Sequence, residues 1–195
     1  SLILGNLAAL AQSNVRRLLA YSAISHAGAL LLGVMVAGRS PGPVIYYALT
    51  YGLATVGAFG VIAALESSGR CQRLEDLAGL HRRSPFLAGC LAVYVLSLAG
   101  IPPLAGFVGK FAVFAEALRA SGLSSSAGWL AFLAIAMSAV ALYYYLLILK
   151  QAFVAAPKAG AGQFAVPPAA RLALGVAAVA IIVLGIAPGL VLGAF

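Results

Sequence analysis

The feature that most limits how this sequence can fold is a series of apolar runs, each nearly as long as a bilayer is thick. A hydrocarbon core of about 30 Å needs roughly 20 residues for each helical crossing. Five full or partial crossings are predicted, over residues 1–11, 18–38, 43–64, 129–149 and 172–192. The runs are continuous and do not alternate with polar residues, which favours helices over barrel strands. We therefore predict an all-α fold, a polytopic transmembrane helical bundle that forms one domain over residues 1–195.

Composition excludes several other classes of protein. Hydrophobic residues make up 64% of the chain and charged residues 8%, whereas a soluble domain carries about 25% charged residues. A soluble enzyme and a disordered chain are thus excluded, and Cys71 and Cys90 are too few for a disulfide scaffold. The net charge of +8 would suggest nucleic-acid binding in a soluble protein. Here it predicts anchoring at a cytoplasmic membrane face, with the lipid bilayer as partner and no nucleic acid.

The stretch from residue 85 to residue 119 is ambiguous in its topology. It contains Gly100, Pro102 and Pro103 near its middle, so it forms either two short helices or one helix broken within the membrane. If it crosses once, the remaining lysines and arginines of the chain divide nine to two between the faces; if it crosses twice, they divide seven to four. The positive-inside rule favours the first arrangement. We therefore predict one discontinuous helix over residues 85–118.

This topology assigns each basic residue to a face. The predicted cytoplasmic set is Arg16, Arg17, Arg70, Arg73, Arg82, Arg83, Lys150, Lys158 and Arg171. Arg39, Arg119 and the C-terminal Phe195 are predicted on the opposite side. Irregular backbone at membrane depth is tolerated only where protein or a water-filled cavity satisfies it, and such a break often marks an ion or substrate path.

Lys110 is the leading candidate for function. It follows the predicted break and lies nine residues before Arg119, roughly 13 Å along a helix. A lysine at such depth costs about 2.5 to 3.5 kcal/mol on insertion scales and usually marks an ion path. A desolvated lysine can also load and release a proton. The alternative is a side chain that snorkels to the interface without any transport role.

His26 is the second candidate, at a similar predicted depth from the cytoplasmic side. It lies nine residues after Arg17, and Ser22 and Ser25 precede it on the same helix. Ser22 and His26 share a helix face because they are four residues apart, so together they could hold water on a proton path. The alternative is a hydrogen-bonded histidine that only joins two helices.

Thr50 and Tyr51 reach a comparable depth on the next predicted helix. Taken alone, each is expected to connect helices by hydrogen bonding. Together with His26 and Lys110, they predict a polar layer that runs laterally near the membrane midplane.

Two acidic residues lie in or beside the predicted helices. Glu66 is expected at a cytoplasmic helix end in an ion pair with Arg70. Glu116 is six residues from Lys110 and therefore on another helix face, so no pairing between them is predicted.

The remaining polar residues carry structural predictions. Tyr143, Tyr144 and Tyr145 are expected in an interfacial aromatic belt, and His81 in a solvated loop. Cys71 is expected in a loop and Cys90 in a helix, without metal-ligand spacing. The sequence has no phosphate loop, nucleophilic triad or cofactor signature.

Two long motifs resemble a known family. Residues 5–28, GNLAALAQSNVRRLLAYSAISHAG, and residues 97–111, SLAGIPPLAGFVGKF, are similar to the antiporter-like membrane subunits of respiratory complex I. Residues 74–80 and 142–147 add to the resemblance, which covers essentially the whole chain. The match is greatest to the N branch of this family.

The resemblance implies a fourteen-helix subunit, of which this chain, starting at Ser1 without a methionine or signal peptide, is expected to be roughly the last six helices. It also implies that Lys110 belongs to a lateral proton axis, on the discontinuous helix. Two departures matter: the family's upstream glutamate and further lysines are absent, and Tyr47 and Tyr51 occupy positions where some relatives carry histidines.

The resemblance implies a proton-translocating membrane subunit of NADH:quinone oxidoreductase, a multisubunit translocase of the bacterial plasma membrane. This chain is expected to carry no cofactor and no redox site, with NADH and quinone bound by other subunits. One alternative is a cation/proton antiporter subunit that works without a redox enzyme. Another is a structural membrane module, in which Lys110 could be replaced at little cost.

Overall fold

The computed structural model describes residues 1–36, 41–67, 72–121, 125–157 and 166–193. These residues are largely helical. The helices, numbered along the chain, are α1 (Leu2–Leu10), α2 (Val15–Val36), α3 (Gly42–Ser67), α4 (Leu80–Arg83), α5 (Pro85–Ala99), α6 (Ala105–Ser121), α7 (Ser126–Leu149), α8 (Pro168–Ile186) and α9 (Gly189–Leu192). A 3-10 turn over Leu74–Leu77 precedes α4, and a π-helical turn over Lys150–Val154 extends α7.

Four of the described helices are long and apolar enough to cross a membrane, namely α2, α3, α8, and α7 with its extension. Their outer surfaces suit lipid or protein neighbours rather than water. Val56 of α3, Trp129 of α7 and Leu172 of α8 are 71%, 69% and 70% exposed. The prediction of an all-α membrane protein is confirmed.

The last predicted crossing is wrong at its end. The prediction ran one helix to residue 192, but α8 stops at Ile186 and Pro188 precedes the separate turn α9. Pro188 has no N–H to continue the helix, and a proline disfavours helical backbone in the residue before it. Ala187 accordingly has φ −122° and ψ 65°.

The predicted break between residues 85 and 118 is present. α5 ends at Gly100, which has a φ of 83°, a left-handed conformation that glycine adopts without steric cost. The N–H of Ile101 donates to the Leu96 carbonyl at 3.1 Å, and that of Gly100 to Ser97 at 3.0 Å. This is the Schellman arrangement, which satisfies carbonyls at a helix end.

The two helices on either side of the break pack against different parts of α3. Tyr94 of α5 lies against Gly57 of α3, and Tyr47 of α3 lies against Gly109 of α6. As the chain advances from α5 to α6, its contact on α3 therefore retreats from residue 57 to residue 47. The two helices therefore follow one another along α3, one on each side of the break at Gly100.

Several segments rich in basic residues meet at one end of the bundle. The N–H of Val15, at the start of α2, donates to the Gln72 carbonyl at 3.0 Å. The N–H of Gly79 donates to the Gln151 carbonyl, after α7, at 3.2 Å. We call this end, where Val15 meets Gln72 and Gly79 meets Gln151, the Arg-rich end of the bundle.

The starts of α5 and α8 also lie at the Arg-rich end. The Arg171 guanidinium is 5.3 Å from the centroid of the Phe86 ring, and both residues are in the first turns of their helices. Arg119 is in the last turn of α6, at the opposite end.

Glu66 has a partner that the sequence did not predict. It forms an ion pair with Arg16 of α2, whereas Arg70, the predicted partner, lies outside the described residues. The structure therefore joins the end of α3 to the start of α2 by this pair. Four other residues named in the sequence predictions also lie outside the described residues: Arg39, Cys71, Lys158 and Phe195.

Candidate functional site

Lys110 lies inside the bundle, in the second turn of α6. Its side chain is buried, at 7% exposure, and Nζ donates to the carbonyls of Leu98 at 2.8 Å and Ala99 at 3.3 Å. These carbonyls are at the end of α5, where helical partners are missing and the helix dipole is negative. A cation is stabilised there without a carboxylate.

Gly100 makes this contact possible by lacking a side chain. A Cβ at this position would lie 3.1 Å from Cδ of Lys110. In the described part of the chain Lys110 has no acidic partner, and this includes Glu116 of the same helix. The ammonium group turns towards the broken helix and not towards the interface, which is not the geometry of a snorkelling lysine.

His26 connects three helices. Its Nδ1 is 2.6 Å from the Tyr47 hydroxyl on α3, and its Nε2 is 3.1 Å from the Tyr145 hydroxyl on α7. The imidazole also stacks on Tyr51, with ring centroids 4.7 Å apart. Both ring nitrogens therefore have hydroxyl partners that can donate or accept a hydrogen bond.

The two serines beside His26 have different surroundings. Ser25 Oγ accepts a hydrogen bond from Asn6 Nδ2 at 2.6 Å and so joins α2 to α1. Ser22 is buried, but its hydroxyl donates to the Leu19 carbonyl of its own helix at 2.8 Å.

The two α3 candidates contribute less than the polar-layer prediction implied. Thr50 Oγ1 donates to the Tyr46 carbonyl, one turn earlier in α3, at 2.9 Å. Tyr51 contacts His26 by ring stacking rather than by a hydrogen bond. Thr50 is thus satisfied within its own helix.

Lys110 and His26 line one small cavity. The cavity has a volume of about 10 Å³, at the lower limit for holding one water molecule, and its polar lining is completed by Ser25, Tyr47 and Ser138. Four helices, α2, α3, α6 and α7, contribute these five side chains. The structure therefore brings the two leading candidates together, as the predicted polar layer requires.

Sequence reasoning missed Asn6. It is completely buried, its Nδ2 donates to Ser25 Oγ and to the Leu2 carbonyl, and its Oδ1 accepts from the Tyr144 hydroxyl at 2.9 Å. The available signal was an amide side chain within an otherwise apolar run. An unpaired polar group in lipid costs free energy, so such an amide is expected to have a hydrogen-bond partner inside the bundle.

The aromatic-belt prediction is wrong for Tyr144 and Tyr145. Both are buried, and they hydrogen-bond Asn6 and His26 respectively, whereas Tyr143 is 60% exposed. Three consecutive helical residues point in directions about 100° apart, so they cannot all face one interface.

His81 is also not a solvated loop residue. It lies in α4, its Nδ1 is 3.1 Å from the Ala152 carbonyl, and its ring stacks on Phe153. Cys90 is buried in α5, in a helix as predicted. Among the described residues no group of three or more histidine, cysteine or acidic side chains could hold a metal.

Comparison with known proteins places this geometry in a family. Residues 1–139 match the family model described as NADH:quinone oxidoreductase/Mrp antiporter, transmembrane. The chain is 52% identical over 193 residues to NADH-quinone oxidoreductase subunit N 2 of Acidobacterium capsulatum, covering 98% of this chain and 39% of the relative. It is 43% identical over 189 residues to subunit N of Moorella thermoacetica, with similar coverage.

Solved structures agree. A chain of respiratory complex I from Thermus thermophilus with bound aureothin aligns with a TM-score of 0.83 and 43% identity, over 99% of this chain and 43% of that one. A chain of the Mrp complex from Dietzia sp. aligns with a TM-score of 0.86 and 25% identity, over 98% and 43%.

The chain spans about two fifths of the length of these relatives. The family model nevertheless covers well over half of the chain's own 195 residues, and the complex I structure covers nearly all of it. The chain therefore belongs to the NADH:quinone oxidoreductase/Mrp antiporter family of membrane proteins.

Proposed function

We propose that this chain is part of a proton-translocating subunit N of bacterial complex I, in which Lys110 loads and releases the proton. The observation that carries the proposal is the shared cavity of Lys110 and His26 beside the broken helix. Membership of the family and the similarity to subunit N relatives support the same assignment.

The hydrogen bonds of Lys110 suggest how it would hold a proton. Its ammonium form donates hydrogen bonds to the carbonyls of Leu98 and Ala99 at the end of α5. After proton loss the amine keeps two N–H groups, enough for both carbonyls, but it loses its charge, so its attraction to the negative end of the α5 dipole weakens. The broken helix and the protonation state of Lys110 are coupled in this way.

His26 is proposed as the group that passes the proton to this cavity. Its ring nitrogens contact the hydroxyls of Tyr47 and Tyr145, and Tyr47 lines the cavity with Lys110. A water held by Ser25 and Ser138 would complete the connection, since a buried water needs two to four polar partners. In this scheme Ser22, Thr50 and Tyr51 orient the neighbouring helices and rings.

The membrane arrangement is proposed from the same geometry. α5 and α6 together make one crossing, interrupted at Gly100, Pro102 and Pro103, and the chain crosses about six times as part of a fourteen-helix fold. The Arg-rich end faces the cytoplasm of a bacterial cell, and the chain's C-terminal end faces the opposite side. Other complex I subunits are the partners, and they bind NADH and quinone; this chain is proposed to bind no cofactor.

A second candidate is a cation/proton antiporter subunit. The alignment with the Mrp complex of Dietzia sp., at a TM-score of 0.86, favours it specifically. The two functions differ in coupling, because an antiporter exchanges ions in vesicles that have no NADH or quinone turnover.

The test is Lys110→Met in the full-length subunit within its assembled complex, with proton pumping and NADH:quinone turnover measured in parallel. We expect both rates to fall by about tenfold or more, a barrier increase of about 1.4 kcal/mol, because methionine carries no proton. Lys150→Met is the matched control, since Lys150 is exposed at the end of α7. If the assembled Lys110→Met complex turns over and pumps like the control, the proposed role of Lys110 is wrong.

A further inference from the structure

A second polar cavity lies at the Arg-rich end, away from Lys110. Its volume is about 370 Å³, and it lies between the start of α5 and the start of α8. Arg83, Ser84, Phe86 and Arg171 are among the residues that line it. None of these residues has a part in the proposed proton path.

Two guanidinium groups are held at this cavity. Arg171 is positioned over the Phe86 ring, 5.3 Å from its centroid, which is a cation–π distance. Arg83 Nη1 donates to the Asp76 carbonyl at 3.2 Å, which fixes its side chain beside the start of α5. Arginine presents five donors in a planar fork that matches phosphate oxygens.

The start of α5 adds donors of its own. A helix leaves its first N–H groups without helical partners and carries partial positive charge there. Ser84 precedes this 15-residue helix, and its hydroxyl makes no capping hydrogen bond. Ser84 is only 7% exposed and lines the cavity. Its hydroxyl has no hydrogen-bond partner among the described residues, so it is available to a ligand in the cavity.

An apolar groove continues from the same arginine. It has a volume of about 490 Å³ and begins at Arg171, following the surface of α8 through Leu172, Val176, Val179 and Val183. From residue 171 to residue 183 a helix rises about 18 Å, close to half of a hydrocarbon core of about 30 Å. Leu172, Val176 and Val179 are 70%, 60% and 59% exposed.

We propose that the cavity and the groove form a binding site for one anionic phospholipid. The phosphate lies between Arg83 and Arg171 and accepts a hydrogen bond from Ser84, and an acyl chain follows α8 across one leaflet. A lipid is favoured over a free anion because the basic cavity and the apolar groove share Arg171. This inference is independent of the proton path, since Lys110 and His26 lie elsewhere.

The test uses the full-length subunit in detergent, delipidated and titrated with phosphatidylglycerol, with bound lipid counted by native mass spectrometry. We expect the double variant Arg83→Gln/Arg171→Gln to bind about 25-fold more weakly, at about fivefold per arginine. Arg82→Gln is the matched control, because Arg82 is an exposed neighbour that does not line the cavity. It should change binding less than about twofold.

A second variant keeps both charges and changes only the groove. Gly175 lies on the groove beside Phe86, where an added Cβ would be 3.7 Å from the ring. Gly175→Leu should therefore weaken phosphatidylglycerol binding, which tests the proposal even if the double variant does not fold.

Three outcomes would overturn the lipid site. One is unchanged phosphatidylglycerol binding by a folded double variant. Another is displacement of the lipid by inorganic phosphate together with no effect of Gly175→Leu, which would indicate a free-anion site. In the third, the complex that contains the double variant loses a neighbouring subunit while lipid binding is unchanged. That result would indicate that the cavity is a protein interface. Each is measured without proton pumping, so it leaves the Lys110 proposal untouched.

Discussion

Two proline-containing helix breaks lie close together in this molecule, and they differ in what happens to the backbone groups that each break releases. Between α5 and α6 the carbonyls of Leu98 and Ala99 accept hydrogen bonds from Lys110 inside the bundle. Between α8 and α9 the N–H of Ala187 donates to Val183 at 2.8 Å, and the neighbouring Ile186 is 69% exposed.

The two breaks also pack against each other. A Cβ on Gly185 of α8 would collide with the Pro103 carbonyl and with the backbone of Leu104 and Ala105. A helix ends at both places, but the carbonyl of Leu184 at the second break accepts from the neutral Tyr46 hydroxyl at 2.7 Å, whereas the carbonyls at the first break accept from a lysine. The helix break alone is not the functional feature.

The largest expected effect comes from a variant that pushes α6 away from α5 beside the first break. Gly106→Ala places a Cβ against the carbonyl of Ser97, which is backbone and cannot rotate away. We expect a loss of stability of about 3 kcal/mol, at the upper end for overpacking, and little assembled subunit. Thermal melting and the yield of complex measure this.

Gly89→Ala is its control, because a Cβ at Gly89 of α5 meets nothing within 4 Å. Alanine should there be neutral or stabilise the helix by up to about 1 kcal/mol. Equal melting temperatures for the two variants would show that the contact between α5 and α6 is not tight.

A smaller effect is expected from His26→Phe, which keeps an aromatic ring against Tyr51 but removes both ring nitrogens. The hydroxyls of Tyr47 and Tyr145 each lose a partner, at about 0.6 kcal/mol for each hydrogen bond in a membrane protein. The complex should therefore still assemble, while proton pumping slows because the proposed path loses its titratable group. Pumping at the rate of the parent complex would favour the alternative in which His26 only joins helices.

The smallest effect is expected from Pro188→Ala at the second break. Alanine restores a backbone N–H and allows α8 to continue into α9. We expect a change in stability of less than about 1 kcal/mol and unchanged turnover and pumping in the complex. A loss of pumping as large as that of His26→Phe would mean that the second break also matters for transport.

The helices and the first break were predictable because their signals are local. Continuous apolar runs predict membrane helices, and Gly100 followed by Pro102 and Pro103 predicts the interruption between α5 and α6. The depth of Lys110 followed from counting residues to Arg119. The break at Pro188 carried the same signal, but the apolar run on both sides of it obscured the end of α8.

The partners of the polar side chains were not predictable in this way. Asn6 meets Tyr144, His26 meets Tyr145, and Glu66 meets Arg16 across helices that are distant in the sequence. The membrane helices are apolar on nearly all faces, so no amphipathic stripe shows which face turns inwards. Residue spacing therefore determined where the helices and the break lie, whereas helix packing alone decided which buried polar groups meet, because those contacts form between segments far apart in the chain.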